Sequence, residues 1–449
     1  MHRALLFAFT LCSLIPSPTF AAASQAPNII FVLTDDMGYS DVGCYGGQFV
    51  PTPNIDRLAA EGTKFTQFYV ASPVCSPSRT GFLTGMYPAR WRITNFLQAR
   101  AGNRACEQAD FLDPHAPSIA RALKGAGYVT GHFGKWHMGG GRDVTNAPPF
   151  RAYGFDEHAS TWESPEPDPA LTATNWIWSA DDRIKRWDRS AYFVERTLDF
   201  LRRHKGRPCY VNLWPDDVHT PWVPDGSDLR LRRRDTDETK PGFKAVLAEY
   251  DKQIGRLLEG LKELGLEDST LVIFSSDNGP LPTFAGERAA GMRGSKISLY
   301  EGGIRMPFIV RWPGHVPAGR VDETTLLNAV DCFPTICKCA NAPLPKAAGF
   351  DGEDVSQAFL GKPLTRAKPM FWEYGRNDAF KYPEGRDRSP NVAIREGNWK
   401  LLLNADASRI ELYDLSADRS EATNLASQNP EIATRLKEAA LSWRKSLPK

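Results

Sequence analysis

Beyond its first residues this chain has no long apolar run. No stretch after Ile15 approaches the roughly 20 apolar residues that a membrane-spanning helix needs. It also has no dominant charge: 55 Lys and Arg stand against 53 Asp and Glu, a net +2. That balance gives no ground for nucleic-acid binding or a role on an anionic membrane. If the substrate is an anion, a local cluster of cations must attract it. There is no internal repeat and no low-complexity tract, which sets aside solenoids and disordered segments. Cys332, Cys337 and Cys339 have a spacing that superficially suits zinc, but no histidine lies near them. What remains is an ordinary globular composition, 42% hydrophobic and 24% charged. Its 449 residues suffice for one large α/β domain and a smaller one.

The one apolar run, Ala4 to Ile15, follows the basic pair His2-Arg3 and is too short to span a bilayer. Pro16-Ser17-Pro18 break it, and Ala21-Ala22-Ala23 offer a cleavage site. This predicts a secretory signal peptide over residues 1–23, with a membrane anchor as the other reading. Export to the periplasm or outside the cell follows. After cleavage seven cysteines remain, Cys44, Cys75, Cys106, Cys209, Cys332, Cys337 and Cys339, an odd number that leaves at least one unpaired.

Ile29 to Leu33 form a continuous apolar run, as in a strand buried on both faces. Tyr128–Phe133, Cys209–Trp214 and Leu271–Phe274 read as further strands. Helices are predicted over Pro53 to Ala59, Ser118 to Lys124 and Ser190 to Leu201. The spacing of Leu247, Tyr250, Ile254, Leu257, Leu258 and Leu261 predicts an amphipathic one. Strands alternating with helices imply a large, mostly parallel sheet between helical layers. From about residue 340 to 365 the chain turns rich in Pro, Ala, Gly and charge, which marks a boundary. Short strands near 369–374, 391–395, 399–403 and 410–415 and a helix over 431–445 then predict a smaller α+β subdomain. The expected division is a catalytic α/β domain over 24–362 and a C-terminal unit over 363–449.

Sites in parallel sheets lie beyond the carboxyl ends of the strands. Four apolar runs here end in Asp35-Asp36, in Lys135 and His137, in His219, and in Asp277-Asn278. Each has an ordinary reading alone: helix cap, solvated lysine, core histidine, tight turn. As parallel neighbours they would meet at one sheet edge. The three carboxylates and the amide oxygen are hard ligands that suit calcium or magnesium rather than zinc.

Cys75-Ser76-Pro77-Ser78-Arg79, followed by Leu83-Thr84-Gly85, resembles the first signature of the type I sulfatases of the alkaline phosphatase superfamily. Gly134-Lys135-Trp136-His137-Met138-Gly139 resembles the second, with methionine where leucine is usual. Blocks at Ile30 to Asp36, His219-Thr220-Pro221, Ser276 to Gly279 and Gly294 to Pro307 are similar to others, in family order across residues 27–313. The resemblance implies that a maturation enzyme converts Cys75 to 3-oxoalanine (formylglycine), which leaves six cysteines free to pair. It implies that Asp35, Asp36, Cys75, Asp277 and Asn278 bind one divalent cation, calcium first and magnesium second. Arg79 would hold the formylglycine hydrate, and Lys135 and Lys296 would contact sulfate oxygens. His219 would protonate the leaving alcohol, and His137 would take the proton from the remaining hydroxyl.

The chemistry needs such groups: cationic charge around the ester, an acid for the leaving oxygen, and a nucleophile with a second hydroxyl. A tryptophan-rich middle, with Trp162, Trp176, Trp178 and Trp222, suggests a stacking platform for sugar rings. Asn95, His158 and Arg376 are candidate substrate selectors. The expected substrate is a sulfated carbohydrate. The alternatives are a formylglycine-dependent phosphonate or phosphodiester hydrolase and a non-catalytic protein that binds sulfated glycans.

Overall fold

The structure is a computed structural model and describes residues 26–171, 181–226, 239–346, 349–375 and 385–448. The predicted signal peptide, Arg376, Trp176 and Trp178 lie outside them. The apolar run of residues 29–33 forms β1 (Asn28–Thr34), buried along its whole length. Its alternate residues serve two cores. Ile29, Phe31 and Leu33 face one, while Ile30 and Val32 face the other. A strand apolar at every position has a use for both faces only inside a covered sheet.

Around it, β2 (Thr63–Tyr69), β3 (Val129–Gly134), β4 (Glu157–Ser160), β5 (Cys209–Trp214), β6 (Thr270–Ser276), β7 (Arg305–Arg311), β8 (Arg320–Asp322) and β9 (Leu327–Asn328) complete a nine-stranded sheet. The strand order is β4-β3-β5-β1-β6-β7-β2-β8, with β9 also on β2. From β4 through β6 every neighbouring pair is parallel, and β7 runs antiparallel to both β6 and β2. The four strands expected to carry the site are therefore consecutive and parallel: β3, β5, β1 and β6.

Helices Pro53–Ala60, Arg189–Arg203 and Lys240–Glu263 cover one face through Ile55, Leu198 and Leu247. Helices Cys75–Thr84, Ile119–Gly125 and Cys332–Cys339 cover the other through Phe82, Leu123 and Ile336. A separate antiparallel sheet contains β10 (Met370–Glu373), β11 (Val392–Glu396), β12 (Trp399–Leu403) and β13 (Glu411–Asp414). Helix Pro430–Lys445 packs Leu436 and Ala440 against one face. Trp372 and Leu402 join the larger core from the other. Trp372 Nε1 donates to the carbonyl of Val70 at 2.8 Å, just after β2. Beyond residue 23, six cysteines besides Cys75 are available for disulfides. Cys44, Cys75, Cys209, Cys332, Cys337 and Cys339 form no disulfide, and four of these six are buried.

Candidate active site

The helix Cys75–Thr84 begins at Cys75, with extended Val74 before it and left-handed Gly85 after it. Pro77 fits in the first turn, where helix N–H groups have no intrahelical acceptor. All ten residues are buried, and the positive end of the helix dipole lies at Cys75. Cys75 Sγ is 3.5 Å from Asp35 Oδ1 and 3.5 Å from Lys135 Nζ. Burial pushes the thiol well up from its usual range, with Asp35 and Asp277 adding to the effect and Lys135 and Lys296 opposing it. One turn on, Arg79 is fully buried. Its Nε donates to Asp277 Oδ2 at 2.9 Å, and its Nη2 forms ion-pair contacts with that oxygen at 2.7 Å and with Asp35 at 3.4 Å.

The four strand ends converge on this point. Lys135 Nζ bonds Asp35 Oδ2 at 2.8 Å, and Lys296 Nζ bonds Asp36 Oδ2 at 2.6 Å. Asn278 Nδ2 donates to Asp36 Oδ1 at 2.7 Å. His219 Nδ1 donates to the carbonyl of Thr220, which leaves Nε2 turned toward Lys296 Nζ at 3.2 Å and Asp36 Oδ2 at 3.5 Å. Burial, helped by Lys296, holds the His219 ring below its usual pKa, against the pull of Asp36 and Asp35. The Lys296 loop is tied to both sides of the site by backbone bonds, Lys296 N to Pro280 O and Ile297 N to Pro73 O. Asp36 and His137 both have left-handed backbone, at φ 59° and 55°. For non-glycine residues that conformation costs on the order of 1 kcal/mol or more and needs support from its surroundings.

Three buried carboxylates, Asp35, Asp36 and Asp277, thus face three buried cations, Arg79, Lys135 and Lys296. Ligand atoms of Asp35, Asp36, Cys75 and His219 lie within 4.8 Å of one another. Asn278 Oδ1 is buried without a hydrogen-bond partner and is a free hard donor beside them. Burial together with the other two acids pushes Asp277 up to about 7, against Arg79. These residues fit a hard divalent cation. Its two charges would convert a balanced cluster into one that attracts an anion.

Lys135 depends on Gly134, whose φ is 131°. A Cβ there would lie 2.0 Å from the Trp214 carbonyl, the same oxygen that accepts from Lys135 N. Gly134→Ala is expected to destabilise the chain by at least about 2 kcal/mol in urea unfolding and to displace Lys135.

The candidate substrate residues are scattered. Trp162 sits beside the site, half-buried, with the Arg142 guanidinium 5.2 Å from its ring. Trp222 is 2% exposed. Its ring packs on Phe243 and Phe284, and Nε1 donates to Val218 O, so no face is free for a sugar. Asn95 is also buried. Its Oδ1 accepts from Phe96 N and its Nδ2 faces Cys106 Sγ, so it shapes its own loop. His158 lies inside β4, the edge strand of the sheet, and stacks on Phe150 at 4.4 Å rather than standing beyond the strand ends.

Sequence reasoning missed three supports. Arg288 bonds Asp41 and the carbonyl of Asp36. Arg186 holds Asp216 and the carbonyl of His219. Glu163 faces His137 Nδ1 at 3.4 Å. All three belong to loops or short turns without periodicity, and the only available signal was the acidic pair Asp216-Asp217 just after β5.

A mostly parallel α/β sheet with a balanced cluster of acids, lysines, an arginine and histidines beyond its strand ends has the make-up of a metal-assisted hydrolase. Comparison with known proteins narrows this. The Sulfatase family model matches residues 27–342, and the model for N-sulphoglucosamine sulphohydrolase, C-terminal, matches residues 295–446. The chain is 32% identical to an N-acetylgalactosamine-6-O-sulfatase of Bacteroides thetaiotaomicron, over 92% of each chain. It is 31% identical to human arylsulfatase A, over 94% of this chain and 88% of that one. A solved structure described with the metabolism of multiple glycosaminoglycans by Bacteroides thetaiotaomicron superposes with a TM-score of 0.76 at 29% identity, covering 94% of this chain and all of the other. Another, in complex with k-i-k-neocarrahexaose, does so with 0.74 at 26%, covering 93% of each. The chain belongs to the sulfatase family, the sulfuric ester hydrolases.

Proposed function

We propose that this protein is an exported glycan sulfatase that works through formylglycine made from Cys75 and one divalent cation, calcium before magnesium. The observation that carries this reading is Cys75 at a helix N-terminus, 3.5 Å from both Asp35 and Lys135, with Arg79 one turn away. Asp35, Asp36, Asp277, Asn278 and residue 75 would hold the cation, which would supply positive charge at the reacting oxygens. The aldehyde hydrate would supply the attacking oxygen and a second hydroxyl.

The chain's own residues do the rest. Arg79, fixed by Asp277, orients residue 75 and offsets negative charge on it. Lys135 and Lys296 each keep a carboxylate on one side and present ammonium protons to the sulfate oxygens on the other. Once its ring carries a second proton on Nε2, with Asp36 balancing that charge, His219 delivers this proton to the departing alcohol oxygen beside Lys296. His137 accepts the proton released as sulfate departs. Trp162 at the rim offers the sugar platform.

The relatives named as N-acetylgalactosamine-6-sulfatases and the complex with k-i-k-neocarrahexaose support a carbohydrate leaving group. The basic-then-apolar start of the sequence supports export, and the Cys75 motif supports a formylglycine-generating maturation enzyme as partner.

The expected result is sulfate release from sulfated oligosaccharides, with slower turnover of a phosphodiester at the same centre. Faster phosphodiester turnover would overturn the sulfatase assignment, and binding of sulfated glycan without turnover by the matured protein would overturn an enzymatic one. A sugar alcohol is a poor leaving group and depends on its acid. His219→Ala is therefore expected to lower kcat/KM on a sugar sulfate by roughly 10²- to 10⁴-fold and on 4-nitrophenyl sulfate much less. Equal losses on both would remove His219 from the acid role.

A further inference from the structure

His137 has its two ring nitrogens in different surroundings. Nε2 lies 3.1 Å from the carbonyl of Leu97, and a carbonyl can only accept, so the ring proton resides on Nε2. Leu97 is itself fixed, since its N–H donates to Ser76 Oγ in the first turn of the Cys75 helix at 2.9 Å. Nδ1 is then the basic nitrogen. It is buried without a hydrogen-bond partner. The carboxylate of Glu163 stands 3.4 Å from it.

Glu163 is 3% exposed and rigidly placed. Its carbonyl accepts from His137 N at 3.0 Å, and its Oε1 accepts from Arg142 Nη2 at 2.5 Å. Its Oε2 is 4.0 Å from Lys135 Nζ. Burial raises the Glu163 carboxyl, but His137, Lys135 and Arg142 together pull it down to about 2, so it is ionised. Around the His137 ring the other charged groups are cations: Lys135 on its own segment, Arg142 from the next loop and Arg79 from the Cys75 helix. Burial first, then these cations, push the ring down to about 3, and Glu163 is the group that opposes them.

We propose that Glu163, clamped by Arg142, is the positioning residue that lets His137 act as the base, by balancing the imidazolium charge that forms when Nδ1 takes a proton. The inference rests on His137 being the base in the proposed function. A ring surrounded by three cations would otherwise be a weak proton acceptor. The carboxylate needs no contact with substrate to do this, because its field acts on the ring from one side while Leu97 fixes the tautomer from the other. As the second hydroxyl on residue 75 loses its proton to Nδ1, its oxygen would form the aldehyde C=O while the carbon–oxygen bond to sulfate breaks and sulfate leaves with that electron pair. The imidazolium then returns the proton to solvent before the next turnover.

The test is a double-mutant cycle in the matured enzyme. Glu163→Gln, which keeps shape and removes charge, is expected to lower kcat by about 10- to 100-fold with KM falling in step, so that kcat/KM changes little. Release of the alcohol should then show an initial burst followed by a slow phase, because His137 acts after the alcohol has left. Glu163→Asp should recover part of the loss. His137→Ala should be the more severe change, and Glu163→Gln added to it should cost nothing further. A readout independent of activity comes from ¹⁵N-histidine NMR of the unmatured Cys75 chain. There the His137 ring should hold the same tautomer in Glu163→Gln but accept a proton only at a lower pH. If His137→Ala is impaired while Glu163→Gln is not, or if the two losses simply add, the positioning role of Glu163 is wrong. If His137→Ala itself turns over normally, the base assignment fails instead.

Discussion

Replacing Cys75 with alanine is expected to abolish sulfate release while leaving the fold intact. Removal of a nucleophile that works as part of a unit costs on the order of 10⁶-fold in turnover. The structural cost is small by comparison. Alanine is the best helix former, and Cys75 is the first residue of its helix, so no backbone hydrogen bond is lost. Only Sγ goes, with its two 3.5 Å contacts to Asp35 and Lys135. Thermal midpoint and circular dichroism should therefore match the parent while activity falls to background. Intact-peptide mass spectrometry across residues 75–79 of protein from its native host should show the aldehyde or its hydrate. Cys75→Ser keeps a hydroxyl in place of the thiol and should be matured only where the host's enzyme accepts serine. A thiol mass throughout an active preparation would end the formylglycine assignment, as would full turnover in Cys75→Ala.

The legible and illegible parts of the chain separate on physical grounds. β1 and β6 could be read because strands buried on both faces hold near-continuous apolar runs, β3 and β5 keep enough of one around Thr130, His132 and Asn212, and each run ends where polar chemistry begins. The placement of Asp35, Lys135, His219 and Asp277 beyond them follows from the rule for parallel sheets. β2 was hidden because its Lys64, Thr66 and Gln67 interrupt the apolar pattern on a strand near the sheet edge. Trp222 and Asn95 misled for another reason. A tryptophan or asparagine in a loop gives no sign of whether its surroundings are solvent or core, and both turned inward. Glu163 could not be read at all. Its role depends on a loop folding back so that one residue meets both His137 N and His137 Nδ1, a contact across 26 positions with no periodic signal.

Stripping divalent cations is expected to lower activity by roughly 10³-fold, comparable to losing an electrostatic stabiliser of the transition state. The charge balance gives the reason. Asp35, Asp36 and Asp277 are each held by a cationic partner, Lys135, Lys296 and Arg79 respectively. The bare cluster is therefore close to neutral and exerts little pull on an ester anion. The same stripping should lower the thermal midpoint. A ligand present at about 1,000 times its Kd stabilises the folded state by about 4 kcal/mol, or roughly 5 °C for a chain of this size. Calcium should restore both properties, magnesium less completely, since flexible carboxylate and amide oxygens suit the larger ion. Asp277→Asn and Asn278→Ala should each abolish the calcium-dependent rise in midpoint. Both changes leave the Lys296–Asp36 and Lys135–Asp35 pairs in place. Full activity in protein shown by elemental analysis to carry no divalent metal would remove the cation from the mechanism. A calcium response that survives Asp277→Asn would place the ion elsewhere.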